Sequence, residues 1–320
     1  VQTVLDEKIA KPILIGRPEV IRMRTKKLGL RYLGHPDLEI VDPEQDDRFN
    51  QVWPRYHELR ARSGVTPSVA KAMVRKHNTI IGALMIDLDY ADAMICGVST
   101  DFNNQVNFIR DINGSTLSSG TMAAMNVIFT TDYTLFLCDT HINEDPTAEQ
   151  IAEIALMAAE KVKRFGMVPK VALVSHSNFG NHRTASSIKM AKAREILADI
   201  APELEVDGEM HADAALSESI RHTALPNSTL SGKANVLVMP NLDAGNITYN
   251  LLKMTSGGIV LGPVLLGSNK PIHVLTTSTT TRRIINMATL AAADAQGETK
   301  VPEGVVDSKL QSVSKKAEDS

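Results

Sequence analysis

Short apolar runs alternate with amphipathic stretches along most of the chain, and the alternation predicts strands and helices in turn. In the first third, "KPILIG" (11–16) and "LEIVDP" (38–43) read as strands, with "PEVIRMRTKKLG" as the helix between them. "RFNQVWPRYHELRARSG", with Pro54 in its first turns, is a predicted helix. So is "TPSVAKAMVRK", where Thr66 caps and Pro67 takes the first helical position. "NTIIGALMIDLDYA" is a further helix, "DAMICG" (92–97) a short buried strand, and "DFNNQVNFIRDIN" another helix.

The middle third repeats the rhythm. "MNVIFTTDYTLFLCD" (125–139) reads as two adjacent strands. "TAEQIAEIALMAAEKVKRFG" (147–166) has Thr147 and Gln150 spaced as a capping box, and Gly166 as its stop. "PKVALVSHS" (169–177) is a buried strand, "HRTASSIKMAKAREILADIA" a helix, and "LEVDGEMHADAAL" a strand turning a polar corner into a helix. "ANVLVMPNLDAGNITYNLLKMTSG" gives strand, loop and helix. The Gly-rich apolar passage "GIVLGPVLLGSNKPIHVL" leads to a last helix over 281–294, and the polar residues 297–320 read as a tail or interface arm. A strand–helix rhythm of this kind predicts an α/β fold with a mostly parallel sheet covered on both faces.

Length predicts two domains as a soft prior. The charge balance, −3 overall, gives no reason to expect nucleic acid or an anionic membrane as partner. No apolar run is long enough for a membrane helix and no signal peptide is evident, which points to the cytoplasm. Cys96 and Cys138 each end an apolar run, so buried thiols are expected rather than a disulfide. The chain opens at Val1 in what reads as mid-helix, as expected of a piece of a longer protein.

Candidate chemistry collects where predicted strands end, because open α/β sheets bind ligands at the carboxyl ends of their strands. Four such loops carry polar groups: Asp139, His141 and Asn143; Ser175, His176, Ser177, Asn178 and Asn181; Asp207, Glu209, His211 and Asp213; Asn241, Asp243, Gly245 and Asn246. They converge if their strands run parallel. "SHSNFGNHRT" precedes a helix and suits a phosphate, but it lacks the Gly-Lys-Ser/Thr of a P-loop. His141 and His211 read as hydrogen-bond partners rather than ligands. His176, His182 and His211 lack zinc-site spacing, so no metal is expected. No Gly-x-Gly-x-x-Gly appears, which argues against a dinucleotide site.

A fifth loop, "TTSTTTRR" (276–283), can cap the last helix with a hydroxyl. Arg282 and Arg283 in a first helical turn oppose the helix dipole. They are favourable where an anion or an acidic neighbour lies close, and otherwise form a solvated cap.

Longer segments resemble the phosphate acetyltransferase (phosphotransacetylase) family. "EDPTAEQIAEIALMAA", "FGMVPKVALVSHSNFG", "VDGEMHADAAL", "GKANVLVMPNLDAGNITYNLLK" and "LGPVLLGSNKPIHVL" carry the resemblance, which covers about 1–295. "GVTPSVAKAMVRKHNTIIGALMIDLDYADAMICG" and "TTSTTTRRIINMATLAAADAQ" resemble one branch, the C-terminal phosphotransacetylase-like domain of large bacterial NADP-dependent malic enzymes. The resemblance implies two three-layer α/β/α domains with the second inserted in the first and a cleft between them. The outer domain would be 1–117 plus 263–320, the insert 118–262.

The family moves an acetyl group between coenzyme A and phosphate. Its motif "KPVNDLSRG", followed by an acidic residue in the next helix, supplies a serine, an arginine and a base. Those positions fall here on Thr276, Thr277 and Arg283, and the motif's Asn-Asp pair on His273 and Val274. A second family segment puts its histidine on Thr100 and its arginine on Asn107. An arginine cannot take a thiol proton, so the resemblance implies a degenerate catalytic set at Thr276, Thr277, Arg283 and Asn107. A binding site is expected to remain at Ser175, Ser177, Asn178, Asn241, Gly245, Asn246, Lys270, Thr276, Thr277, Arg282 and Arg283. The expected ligand is acetyl-CoA or a related CoA metabolite, acting as an allosteric inhibitor of malate decarboxylation to pyruvate. NADP and a divalent metal would belong to upstream catalytic domains, and a homodimer or larger homo-oligomer is implied. An active phosphate acetyltransferase and a structural oligomerisation module are the competing readings.

Overall fold

The structure, a computed structural model, describes residues 1–297; apart from Gly297, the predicted tail lies outside the described residues. Along the chain, α1 (Gln2–Asp6) leads to β1 (Ile13–Ile15), α2 (Pro18–Lys27) and β2 (Glu39–Val41). Next come α3 (Phe49–Arg60), α4 (Pro67–Lys76), α5 (Asn78–Asp87), β3 (Met94–Gly97) and α6 (Phe102–Asn113). The chain continues through β4 (Ala123–Phe129), β5 (Thr134–Cys138), α7 (Ala148–Arg164), β6 (Lys170–Val174), α8 (Ala185–Ile200) and β7 (Glu205–Met210). It then forms α9 (Ala212–Leu216), α10 (Glu218–Ala224), β8 (Val236–Val238), α11 (Leu242–Thr255), β9 (Ile259–Leu266), β10 (Ile272–Leu275) and α12 (Thr281–Gln296). The predicted caps form. Thr66 accepts the amide of Val69, and Thr147 and Gln150 close a reciprocal capping box. Thr184 and Ser187 make a second box at α8.

The described residues divide into two compact units, 1–114 with 268–297, and 115–267. Boundaries at 117 and 263 miss by a few residues, for a physical reason. β9 is one continuous strand paired with β4 from Ile259 to Leu266, so 263–267 stay with the second unit.

In the first unit, β1 pairs β2 in parallel through the α2 crossover. β3 pairs β10 in parallel, although these strands lie far apart in sequence. α5 is apolar on all sides, as suits a central helix. Ile80, Ile81, Ala83, Leu84, Met85 and Ile86 are all buried, and the first five pack with Val52, Tyr56, Val74 and Ile112. β3 is half-buried rather than buried, since it pairs along one edge with β10. Cys96, on β3, is accordingly half-buried, whereas Cys138 is fully buried, and both are free thiols.

The second unit is a six-stranded sheet in the order β7-β6-β8-β5-β4-β9. β5, β8, β6 and β7 are parallel neighbours. β4 runs antiparallel to β5 and β9, so the sheet is mixed. Leu135, Leu137, Ala172, Leu237 and Met210 face one side, where Ala214, Ala215 and Tyr249 from α9 and α11 cover them. The alternate residues face the other way; there Phe136 meets Phe165, just after α7, edge-on at 5.5 Å. Among the described residues no helix is long and apolar enough to cross a membrane.

Candidate functional site

Because β5, β8, β6 and β7 are parallel neighbours, the four polar loops that follow them lie along one edge of the second unit's sheet. Hydrogen bonds tie the loops in pairs. Asn178 Oδ1 accepts the His211 amide at 2.7 Å, and the Phe179 amide donates to the Glu209 carbonyl at 2.8 Å. Asn246 Nδ2 donates to the Thr140 carbonyl at 3.1 Å, and the Leu242 amide to that of Glu144. Gly245 has to be a glycine, because a Cβ there would lie 1.9 Å from the Asp139 carbonyl oxygen.

Several predicted binding residues have their polar groups engaged inside this edge. Ser177 is fully buried, and its hydroxyl donates to Glu209 Oε1 at 2.8 Å. The buried Ser175 hydroxyl accepts the Ser177 amide, and Asn241 Oδ1 caps α11 by accepting the Ala244 amide. Asp139 accepts the amides of Ala124, His141, Ile142 and Asn143. Burial pushes its carboxyl up, against the pull of those donors. His141 packs against Tyr249 and bonds Thr140, and burial drives it down to about 4. The His211 ring donates to the His176 carbonyl at 2.9 Å, a structural partnership as its sequence context suggests.

What remains open at this edge is a groove of about 600 Å³. Glu144, Asp145, Asn241 and Asp243 line it, with the first turn of α8 and Lys189 on the other wall. Lys189 bridges the walls, pairing with Asp145 and donating to the Pro240 carbonyl at 2.9 Å. Sequence reading passed over Lys189 because nothing in "SSIKMAK" separates it from an ordinary solvated lysine.

The remaining predicted positions lie in the first unit, all but Lys270 where β3 and β10 end side by side. Gly97 lies opposite Leu275, and the Val98 amide donates to the Leu275 carbonyl at 3.1 Å. Two loops therefore start together and each runs into a helix. Asp101 caps α6 by accepting the Asn104 amide, and Thr280 caps α12 by accepting the Arg283 amide. Neither helix has an acidic residue in its first turn. The N-terminus of α6 already carries the Asp101 carboxylate, whereas that of α12, capped by a hydroxyl, has no acidic residue and favours an anion. Thr276 Oγ1 lies 3.2 Å from Ser278 Oγ, while Thr277 is exposed. Arg282 is exposed and Arg283 half-buried, and among the described residues no carboxylate lies within 4 Å of either.

Asn107 is exposed and accepts Arg110 Nη1 at 3.0 Å, so a guanidinium stands one turn away from it. Lys270 does not join this loop pair: it precedes β10, at the other end of the parallel strands, and pairs there with Asp89 at 3.2 Å. Val98 takes φ 73°, an outlier for a β-branched residue, and Phe179 in the second unit takes φ 50°. Strain of this kind concentrates at functional loops, but no local pattern announced it.

A model of the phosphate acetyl/butaryl transferase family matches residues 1–292. The chain belongs to that family. It is 30% identical to a phosphate acetyltransferase of Thermoanaerobacterium thermosaccharolyticum, over 92% of this chain and 90% of that enzyme. It is 48% identical to an NADP-dependent malic enzyme of Salmonella typhimurium over 92% of this chain, and spans 39% of that protein's length. A phosphotransacetylase structure from Streptococcus pyogenes superposes with a TM-score of 0.82 at 29% identity, covering 89% of this chain and 86% of that one. One from Staphylococcus aureus gives 0.78 at 26%, with the same coverage. The fold is thus the α/β two-domain architecture of known phosphotransacetylases, with parallel and mixed sheets between helical layers. Thr276, Thr277 and Arg283, the positions that the resemblance singled out, lie in the loop and first helical turn that follow β10.

Proposed function

We propose that this phosphotransacetylase-like chain binds acetyl-CoA or a related CoA metabolite without transferring the acyl group, and thereby inhibits a malic enzyme of which it forms part. One observation carries the reading: the first turn of α12 presents Arg282 and Arg283 and no carboxylate. A coenzyme A thiol must lose its proton to attack an acyl phosphate, and a guanidinium cannot accept it. The family's arginine positions are neutral at Thr277 and Asn107, and one missing donor to a developing charge costs about 3–4 kcal/mol of transition-state binding. The features that hold anions persist: the N-terminus of α12, the hydroxyls of Thr276 and Thr277, and the guanidinium of Arg283. Ser175, Ser177 and Asn178 keep the second unit's loops in place rather than offering free polar groups. The similarity to NADP-dependent malic enzymes supports the regulatory role. In this reading NADP and a divalent metal are held by upstream domains of a homo-oligomer, which oxidise and decarboxylate malate to pyruvate.

The second reading is an active phosphate acetyltransferase. Its support is the match to the Thermoanaerobacterium enzyme over nine tenths of that protein's length. A thiol-release assay with acetyl-CoA and phosphate, run beside calorimetry with acetyl-CoA, separates the two. Binding without thiol release is the expected result. Sustained release by a preparation free of contaminating enzyme establishes the second reading. Neither binding at millimolar ligand nor release leaves a structural oligomerisation module.

A further inference from the structure

α12 packs on β10 and β3 through one narrow face. Its buried residues are Met287 and Ala291, and Asp294 follows about one turn later on the same face. A carboxylate thus stands where the pattern calls for an apolar side chain. It is 10% exposed, and its Oδ2 lies 3.5 Å from Nε2 of His273, which is 2% exposed on β10. Burial alone would hold His273 neutral. Asp294 reverses that preference, because the charged pair is neutral as a whole, whereas either partner charged alone is a buried net charge. Asp294 also lies near the C-terminus of α12, where the helix dipole disfavours a carboxylate and no basic residue of the last turn offsets it. An imidazolium on β10 supplies a cation there.

Other ionisable groups stand on the elements packed against this pair. Cys96, on β3, has its thiol pushed up to about 12 by burial and stays neutral. On α6, Asp111 pairs with Arg60, Asp101 caps the helix and Arg110 bonds Asn107. Asp6 of α1 is exposed. Arg283, on α12 itself, stands roughly 17 Å along the axis from Asp294.

We propose that His273 and Asp294 are positioning residues, whose proton-dependent ion pair clamps α12 to β10 and so fixes the turn between them, Thr276–Thr280, with Arg283 beside it. The two anchors lie on either side of that connection, so a shift of α12 on β10 moves the turn directly. The carboxylate raises the proton affinity of His273, so the clamp is complete at low pH and is lost as pH rises through the raised value. An anion on the turn is held better below that value than above it. This consequence rests on the reading of the turn as the CoA-binding site, whereas the clamp itself does not.

Three measurements on the 320-residue chain test it, with His273→Gln and Asp294→Asn as variants. NMR titration should place His273, identified by its missing signal in His273→Gln, above the ordinary imidazole range. Asp294→Asn should lower its proton affinity at least about tenfold. Hydrogen-exchange protection over 281–290 should be at least about fivefold higher in the natural chain than in Asp294→Asn at pH 6, and no higher at pH 8.5. In calorimetry with acetyl-CoA, the natural chain should bind at least about threefold more tightly than either variant at pH 6, and no more tightly at pH 8.5. A His273 titration indifferent to Asp294→Asn overturns the proposal. So does protection unchanged at pH 6, or lost equally at both pH values, which is packing rather than a proton. Acetyl-CoA binding that ignores both variants at pH 6 overturns the link to the turn. Failure of acetyl-CoA to bind at either pH, with titration and protection as expected, overturns the ligand reading and leaves the clamp established.

Discussion

Gly97 lies against Leu275 so closely that a Cβ on Gly97 would stand 2.2 Å from the Leu275 carbonyl oxygen. Gly97 also takes φ 96°, which side chains rarely adopt. This contact sets where the two loops of the first unit begin. Gly97→Ala is expected to cost about 2–4 kcal/mol by overpacking and strain together. Val98→Gly, one residue on, should stay within about 1 kcal/mol, since relief of left-handed strain offsets glycine's greater entropy loss. Urea unfolding of both variants measures the contrast.

Lys189 holds the groove of the second unit from one side to the other. Lys189→Met keeps the stem and removes the bonds to Asp145 and the Pro240 carbonyl. A loss of about 1–3 kcal/mol is expected, in the range of hydrogen bonds from a charged donor. Hydrogen exchange should quicken in the loops after β5 and β8, because both lose the same anchor. Unchanged exchange there would show that Lys189 is not the link.

His141 gives the chain a pH-dependent component of stability. Its folded value of about 4 lies below the ordinary 6.5 because burial, then the charge of Lys253, disfavours the proton. The contribution is therefore complete above pH 6.5 and is lost as pH falls toward 4, since only the unfolded chain takes up the proton. The slope is at most about 1.4 kcal/mol per pH unit. Denaturant melts between pH 7 and 5 should show this decline in the natural chain and a flatter profile in His141→Gln.

The proposed loss of acyl transfer predicts what restores it. The triple change Thr276→Ser, Thr277→Arg and Arg283→Asp returns the family's residue types to the β10–α12 loop. Thiol release should rise at least about tenfold over the natural chain, given the scale of a single transition-state donor. If it stays at background while acetyl-CoA still binds, the missing activity has a cause beyond these three positions.

The elements were legible in the sequence because their causes are local. A capping threonine such as Thr147, a stop glycine such as Gly166 and an apolar stripe along 148–162 act within about a turn of one another. The polar loops were legible too, as chemistry placed at strand ends. Strand order was not legible. β8 sits between β6 and β5, and β10 pairs with β3 across most of the chain, because pairing is chosen by total burial rather than by neighbouring residues. That long-range choice brought the loop that begins at Thr276 beside the one that begins at Val98, stretched Lys189 across a groove, and closed Ser177 off from solvent. The sequence by itself also set the apolar spacing of Ile247, Leu251 and Met254. That this stripe faces outward rather than into the sheet was decided by the tertiary fold, which seats the opposite side of α11, with Gly245 and Tyr249, against the core.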